Sequence, residues 1–346
     1  MYSKIRSLIF KFDPELAHNL AINALKFNFF PKLNNKIYKS METKILGKSI
    51  LNPIGVAAGF DKDAEIYNSL FKLGFGFVEV GTVTPKKQYG NSKPRVFRLE
   101  EDQALINRLG FNNSGADIIS SRINKNKPQG LLGVNIGPNQ DTSDRIKDYL
   151  ICFQKFYKIA DYITINISSP NTENLRSFHN KDELDELLRE INAEKKKLNT
   201  EIAVALKISP DIQDKEINEI SEIILRYNIK LIIISNSTDK NRDNLKNINK
   251  LEKGGLSGKP LELKSNLLIN KFYKSLKNEI KIIGVGGIDS GMGAYEKFVN
   301  GASLVQLYTA LVYQGPKIIN KILKELDTLI LIDGYKNVSD AIGKSS

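Results

Sequence analysis

Tryptophan is absent from this chain of 346 residues, cysteine occurs once and histidine twice. A single cysteine excludes a disulfide within the chain and any cysteine-based metal centre. Cys152 falls in Tyr149-Leu-Ile-Cys152-Phe-Gln-Lys-Phe156, an apolar helical face, and reads as a buried structural thiol in a reducing compartment. His18 and His179 are too few for a catalytic zinc site, so no metal is expected. Long apolar runs are also missing: nothing approaches the ~20 residues of a membrane span. Acidic residues are in deficit, 39 against 51 lysines and arginines, for a net charge of +12. The basic residues are scattered, are mostly lysine, and lack the aromatic and arginine platform of a nucleic-acid surface, so no nucleic-acid partner is expected. With 41% hydrophobic and 26% charged residues, the chain has the composition of a folded globular protein.

What is present is a repeat of β-branched runs and helical stretches. The runs cover 54–58, 77–80, 131–136, 162–167, 202–208, 231–235, 282–285 and 304–307. Helical periods follow, among them 181–197 and 214–227. Eight strand-helix units in one array predict an α/β fold, a (β/α)8 TIM barrel, with its site at the C-terminal strand ends. A doubly wound sheet is the alternative, but the glycine fingerprint after its first strand is missing. Residues 84–112 interrupt the second unit and read as a hairpin and loop over the barrel top. Residues 237–259 form a polar excursion ending in Gly254-Gly255-Leu-Ser-Gly258.

Residues 1–40 stand apart from a barrel domain of 41–346 as an amphipathic helical extension. Ile5, Leu8, Ile9 and Phe12 share one helical face, and Asp13-Pro14 supplies a cap and a first-turn proline. A second helix runs through Leu16, Leu20, Ala24 and Leu25 into Phe27, Phe29 and Phe30, with Lys4, Arg6, Lys11, Lys26 and Lys32 around the pair. Such a basic amphipathic pair suits an anionic membrane surface; a hairpin plugging the barrel bottom is the alternative. Asp13 and Glu15 interrupt any signal-peptide core.

Polar residues gather where the strands end. The first gives Ala58-Gly59-Phe60-Asp61-Lys62, the second Glu79-Val-Gly81-Thr82, the third Asn135. The fourth, Ile163-Thr-Ile-Asn166-Ile-Ser168-Ser169-Pro170-Asn171-Thr172, breaks into hydroxyls and carboxamides that are costly to bury without partners. An Asx or serine turn capping the next helix would also explain it. Lys207 closes the fifth strand inside an apolar run and needs an anionic or electron-rich partner; Ser235-Asn236-Ser237 closes the sixth. Glycine-rich Gly284-Val-Gly286-Gly287-Ile-Asp289 and the segment leading to Tyr308-Thr309 end the last two, where barrels hold phosphate. A phosphorylated, electron-rich cofactor such as a flavin is the expectation; no nicotinamide fingerprint is present.

Taken with Gly81-Thr-Val-Thr-Pro85, Lys93-Pro-Arg-Val-Phe-Arg98, Ile106-Asn-Arg-Leu-Gly-Phe-Asn112 and Gly255-Leu-Ser-Gly258, these motifs resemble dihydroorotate dehydrogenase from Asp13-Pro14-Glu15 to about Gly315-Pro316. Ser169 stands where soluble members place a cysteine, and Asp13-Pro-Glu-Leu-Ala-His18 resembles the start of the helix pair of the quinone-dependent class 2 enzymes. The resemblance implies FMN held by Ala58, Gly59, Phe60, Asp61, Lys62, Thr82, Asn135, Asn166, Lys207, Ser235, Gly258, Gly287, Tyr308 and Thr309. It places dihydroorotate or orotate against Lys62, Asn107, Arg108, Leu109, Gly110, Phe111, Asn166, Asn171, Asn236 and Ser237. Members of the family more often carry threonine where Ser235 and Ser237 stand, and a serine hydroxyl serves equally.

By the same resemblance Ser169 removes the C5 proton while hydride passes from C6 to the flavin, with Thr172 and a water beside Phe111 as relay. A membrane quinone then takes the electrons near His18, Arg98 and Tyr308. His18 as an ordinary helix histidine, and Arg98 as a salt-bridge partner on the hairpin, remain open. The implied protein is a monomer on the cytoplasmic side of the inner membrane, serving pyrimidine (UMP) biosynthesis. Two rivals stand beside it: a flavin barrel reducing uridine in tRNA, for which Cys152 is badly placed, and a membrane scaffold on a dead barrel, for which the site is too complete.

Overall fold

The computed structural model describes residues 2–27, 29, 36–276 and 278–345. Phe30 and Lys32, named above, lie outside the described residues, and the side chain of Lys4 is not described. Eight parallel strands close into a barrel in sequence order. Numbering barrel strands only, these are β1 (Ile54–Val56), β2 (Phe77–Val83), β3 (Leu131–Ile136), β4 (Tyr162–Asn166), β5 (Ala203–Ile208), β6 (Leu231–Ile234), β7 (Lys281–Val285) and β8 (Leu304–Leu307). Almost every residue of the eight is buried, because helices cover the outside and side chains fill the inside. Helices Lys181–Lys197 and Asp214–Arg226 follow β4 and β5 as their periodicity predicts.

Strand alternation sends every second side chain into the barrel. The lowest inward layer is apolar: Phe77, Leu131, Tyr162, Ala203, Leu231 and Leu304 pack together with Ile45 and Ile50. Those two isoleucines come from an antiparallel pair, Thr43–Ile45 with Lys48–Ile50, that closes the barrel's lower end. The N-terminal helices therefore do not plug that end. One step higher the inward positions of β2, β4 and β8 turn polar, with Glu79 bonded by Thr164 and Gln306. On β3 the matching position must be glycine, since a Cβ on Gly133 would lie 2.1 Å from Tyr162 Cζ.

Above the barrel the two interruptions meet. The hairpin Val96–Leu99 and Ala104–Asn107 gains a third antiparallel strand, Gly255–Gly258, from the polar excursion. Leu99, Ala104, Ile106, Leu245 and Leu256 form a small core of their own beneath it.

Two N-terminal helices, α1 (Tyr2–Ile9) and α2 (Pro14–Lys26), dock beside this sheet. Asp13 Oδ1 caps α2 by accepting from the N–H groups of Glu15 and Leu16. Ala17, Ile22 and Leu25 are buried, whereas Leu8, Leu16 and Leu20 are 59%, 49% and 52% exposed, so the pair keeps an apolar face outward. Its attachment is polar: Arg95 grips Glu15 through two bonds of 2.6 and 3.0 Å, and Arg98 Nη1 donates to the carbonyls of Phe10 and Phe12. Burial favours the neutral form of Glu15, but Arg95 outweighs it and holds the carboxyl below its usual range. No helix among the described residues is long and apolar enough to cross a membrane.

Gly133→Ala is expected to cost about 1–3 kcal/mol, as overpacked cores do. A drop in thermal midpoint would show it; an unchanged midpoint would mean that the Tyr162 ring is not locked across the barrel.

Candidate active site

The C-terminal strand ends and the three-stranded sheet enclose one large cleft. Its floor is built by the last inward residues of the strands. Asn166 and Lys207 reach it from β4 and β5, and Thr82 from the end of β2. Of the expected residues, Ala58, Gly59, Lys62, Asn107, Leu109, Gly110, Phe111, Ser169 and Asn171 also line the cleft. So do Ser235, Asn236, Ser237, Gly258, Gly287, Tyr308 and Thr309.

Others sit behind it. Asn135 is fully buried beneath the floor, where it accepts from Thr82 Oγ1 at 2.6 Å and donates to Glu79. Asp61 faces away and accepts from the N–H groups of Glu65 and Ile66. Phe60 lies between two aromatic edges, His18 at 5.3 Å and Tyr308 at 5.6 Å, so a line of rings runs from α2 to the cleft. Arg108 turns to the sheet's far side, paired with Glu252 and stacked on Phe97. Arg98 holds the end of α1 and keeps a buried Nε with no hydrogen-bond partner among the described residues.

Charge in the cleft is cationic. Lys207 Nζ is 3.9 Å from Glu79, the two buried together; desolvation lowers the lysine and Glu79 opposes that. Lys62 lines the cleft with no hydrogen bond or ion pair to a described residue. Burial pulls its ammonium down to about 8, with Glu15 and Asp63 pulling the other way. His18 is desolvated, has Lys62 nearby, and falls to about 3, so it is neutral at physiological pH. Tyr308 is pushed up to about 12, chiefly by burial, and stays a phenol donor.

Ser169 is buried at the cleft wall; its Oγ accepts from the N–H of Asn171 at 3.2 Å, leaving its own proton free to point elsewhere. Nearby Thr172 Oγ1 is buried with no hydrogen-bond partner among the described residues. Asn171 Nδ2 donates to Asn107 O at 3.0 Å, fastening the β4 loop to the sheet above. On the opposite side Gly286 and Gly287 have φ of 117° and 79°, backbone that favours glycine, and among the described residues no carbonyl accepts from their N–H groups. Ser257 Oγ and Thr309 Oγ1 meet there at 3.0 Å.

Several lining residues carried no readable signal. Gln306 lines the floor from β8, with Nε2 on Glu79 and a buried Oε1 unsatisfied, although in sequence it is one polar residue in an apolar run. Lys259 lines the same end with Ser257 and Asp289 of the two glycine-containing motifs, and nothing local in the chain announces that the three meet. His179 is structural: its Nε2 accepts from Ser209 N, so its Nδ1 donates to Arg176 O. Cys152 is buried in helix Arg145–Phe156, where desolvation pushes its thiol well up.

Comparison with known proteins agrees with this fold. A family model described as dihydroorotate dehydrogenase matches residues 40–330. Dihydroorotate dehydrogenase (quinone) of Bartonella tribocorum is 46% identical over 342 residues, 97% of this chain and 94% of that protein. The protein of the same name from Buchnera aphidicola subsp. Schizaphis graminum is 45% identical over 94% of this chain and 99% of its own. Among solved structures, the Eimeria tenella enzyme in complex with ferulenol superposes with a TM-score of 0.93 at 36% identity, covering 96% of each chain. This chain belongs to the dihydroorotate dehydrogenase family, and the relatives it matches along nearly its whole length are the quinone-linked members.

Proposed function

We propose that this protein oxidises dihydroorotate to orotate in pyrimidine biosynthesis, using FMN in the cleft and a membrane quinone as final acceptor. The observation that carries the reading is that Lys62, with no hydrogen bond or ion pair to a described residue, lines the same cleft as the carboxamide residues Asn107, Asn171, Asn166 and Asn236. A lysine left without a protein anion fits a ligand carboxylate, and paired amides fit a planar pyrimidine with alternating donors and acceptors.

The cleft also suits a flavin mononucleotide. Free N–H groups at Gly286 and Gly287, with the Thr309 hydroxyl, would hold the phosphate near Gly258. Ala58, Gly59, Thr82, Asn166, Lys207 and Ser235 would hold the ring system, and small residues at 58 and 59 let a flat group approach the backbone. Bound FMN supplies the hydride acceptor and the route for electrons to a quinone.

The chain's own residues do the rest. Lys62 and the carboxamides fix the substrate ring, and the sheet with Phe111 shields it from water. Ser169 Oγ takes the C5 proton while giving up its own, since a free hydroxyl is a weak base. The orphan Thr172 Oγ1 is the next acceptor, through a water beside Phe111. For quinone, the ring line His18, Phe60 and Tyr308 marks the approach from α2, and Arg98 Nε is a donor left for a quinone carbonyl. The outward Leu8, Leu16 and Leu20 would rest on the cytoplasmic face of the inner membrane, with the exposed Lys11 toward anionic headgroups.

Ser169→Ala is expected to keep bound flavin while losing about 10²- to 10⁴-fold in the rate of flavin reduction by dihydroorotate; an unchanged rate removes Ser169 from the proton transfer. Because Lys62 is charged only below its pKa of about 8, KM for dihydroorotate should climb as pH rises through that value, and Lys62→Met should flatten the profile. A wild-type KM constant to high pH would count against the carboxylate contact. Deleting residues 1–40 should impair quinone reduction far more than anaerobic flavin bleaching; equal loss would make the helix pair merely structural.

A further inference from the structure

The hydrogen bonds under the cleft all run one way. Asn236 Nδ2 donates to Ser168 Oγ at 2.9 Å, Ser168 Oγ to Asn166 Oδ1 at 2.7 Å, and Asn166 Nδ2 to Thr82 Oγ1 at 3.0 Å. Thr82 Oγ1 then donates to Asn135 Oδ1 at 2.6 Å, and Asn135 Nδ2 to Glu79 Oε1 at 2.9 Å. Hydroxyls and carboxamides can be turned to run such a chain in either direction. A carboxylate cannot, because it only accepts.

Glu79 is fully buried, and its other oxygen accepts from Tyr162, Thr164 and Gln306 at 3.1 to 3.2 Å. Asn135 must therefore show it an NH2, which leaves the Asn135 carbonyl for Thr82 and obliges the threonine hydroxyl to donate inward. Thr82 then has only lone pairs to offer, so Asn166 must present its NH2. At the outer end the N–H groups of Ser168 and Ser237 donate to Asn166 and Asn236, reinforcing the same sense.

The consequence reaches the ligand. Asn166 and Asn236 line the cleft, yet their carbonyls are already occupied and each has spent one N–H. What they have left is a second N–H apiece, beside the Lys207 ammonium that Glu79 also faces. We infer that Glu79 is a positioning residue: without touching the ligand, its carboxylate sets the floor of the cleft as a surface of donors, selecting ligands that present carbonyl, carboxylate or ring-nitrogen acceptors. This rests on the functional reading above, since orotate and the flavin pyrimidine edge are ligands of that class.

Moving the carboxylate by one link tests it. Glu79→Gln keeps the shape but can donate as well as accept, so the inner half of the chain loses its fixed sense; FMN and orotate should bind about tenfold more weakly, with KM for dihydroorotate rising more than kcat falls. Asn135→Asp alone sets two carboxylates face to face and should be worse. The double variant Glu79→Gln with Asn135→Asp restores one acceptor-only terminus, still accepting from Thr82, and should recover ligand affinity to within about threefold of wild type. Such recovery is the behaviour of coupled rather than independent sites. Wild-type affinities in Glu79→Gln, or a double variant no better than Asn135→Asp, would overturn the inference. If a single variant does not fold, the double variant carries the test. Thermal midpoints of the three variants need no ligand, so they decide the coupling even if wild type proves not to bleach with dihydroorotate, the result that would sink the functional reading instead.

Discussion

A carboxylate sealed inside a barrel is tolerable only if its charge and lone pairs are engaged, and Glu79 meets that condition with four hydrogen-bond donors and a lysine. Its partners come from β3, β4, β5 and β8, so it also ties distant strands of the closed sheet together. Below this layer the barrel is filled by aromatic and aliphatic side chains; above it lies the cleft. The polar layer is where a packed core gives way to a binding surface.

That boundary explains the division of labour in the molecule. The barrel supplies a rigid floor, and the two insertions supply a roof by sharing one three-stranded sheet. Because Asn171 bonds to Asn107, the loop bearing Ser169 is fastened to that roof rather than left to itself. The helix pair is joined by Arg95 and Arg98 from the same sheet, so the roof also sets where α1 and α2 stand relative to Tyr308. Acid weakens this attachment. The Glu15 carboxyl, held low by Arg95, contributes stability above the normal carboxylate pKa and loses it as pH falls through the lowered value. His18, kept neutral by burial, acts in the same direction as protonation begins to favour the undocked state below about 6.5.

Much of the fold was legible because buried parallel strands are continuous β-branched runs with few other interpretations. The run 131–136 is a strand with the same bounds, and 181–197 a helix with the same bounds. The hairpin at 43–50 was missed: its strands are three residues each, too short for a period to show. Residues 237–259 read as polar excursion because the strand Gly255–Gly258 is nearly all glycine and serine, and its pairing with Ala104–Asn107 joins segments far apart in the chain. Strand-end residues pointed to a shared site, yet their standing within it did not follow. Asn135, Asp61 and Arg108 read like their neighbours but stand behind or away from the cleft, since the direction of a side chain depends on which partner it finds.

The sequence by itself determined the eight-unit barrel, many of the polar residues at its mouth and the family, because burial pattern and motif order are local properties written along one dimension. Tertiary structure alone decided that Lys62 makes no hydrogen bond or ion pair among the described residues, that the two insertions form one roof, and that a single buried carboxylate gathers a hydrogen-bonded network of amides from β3, β4 and β8. The physical reason is that hydrogen bonds and ion pairs depend on distance and direction between groups hundreds of residues apart, 227 for Gln306 and Glu79, and no spacing in the chain encodes those vectors.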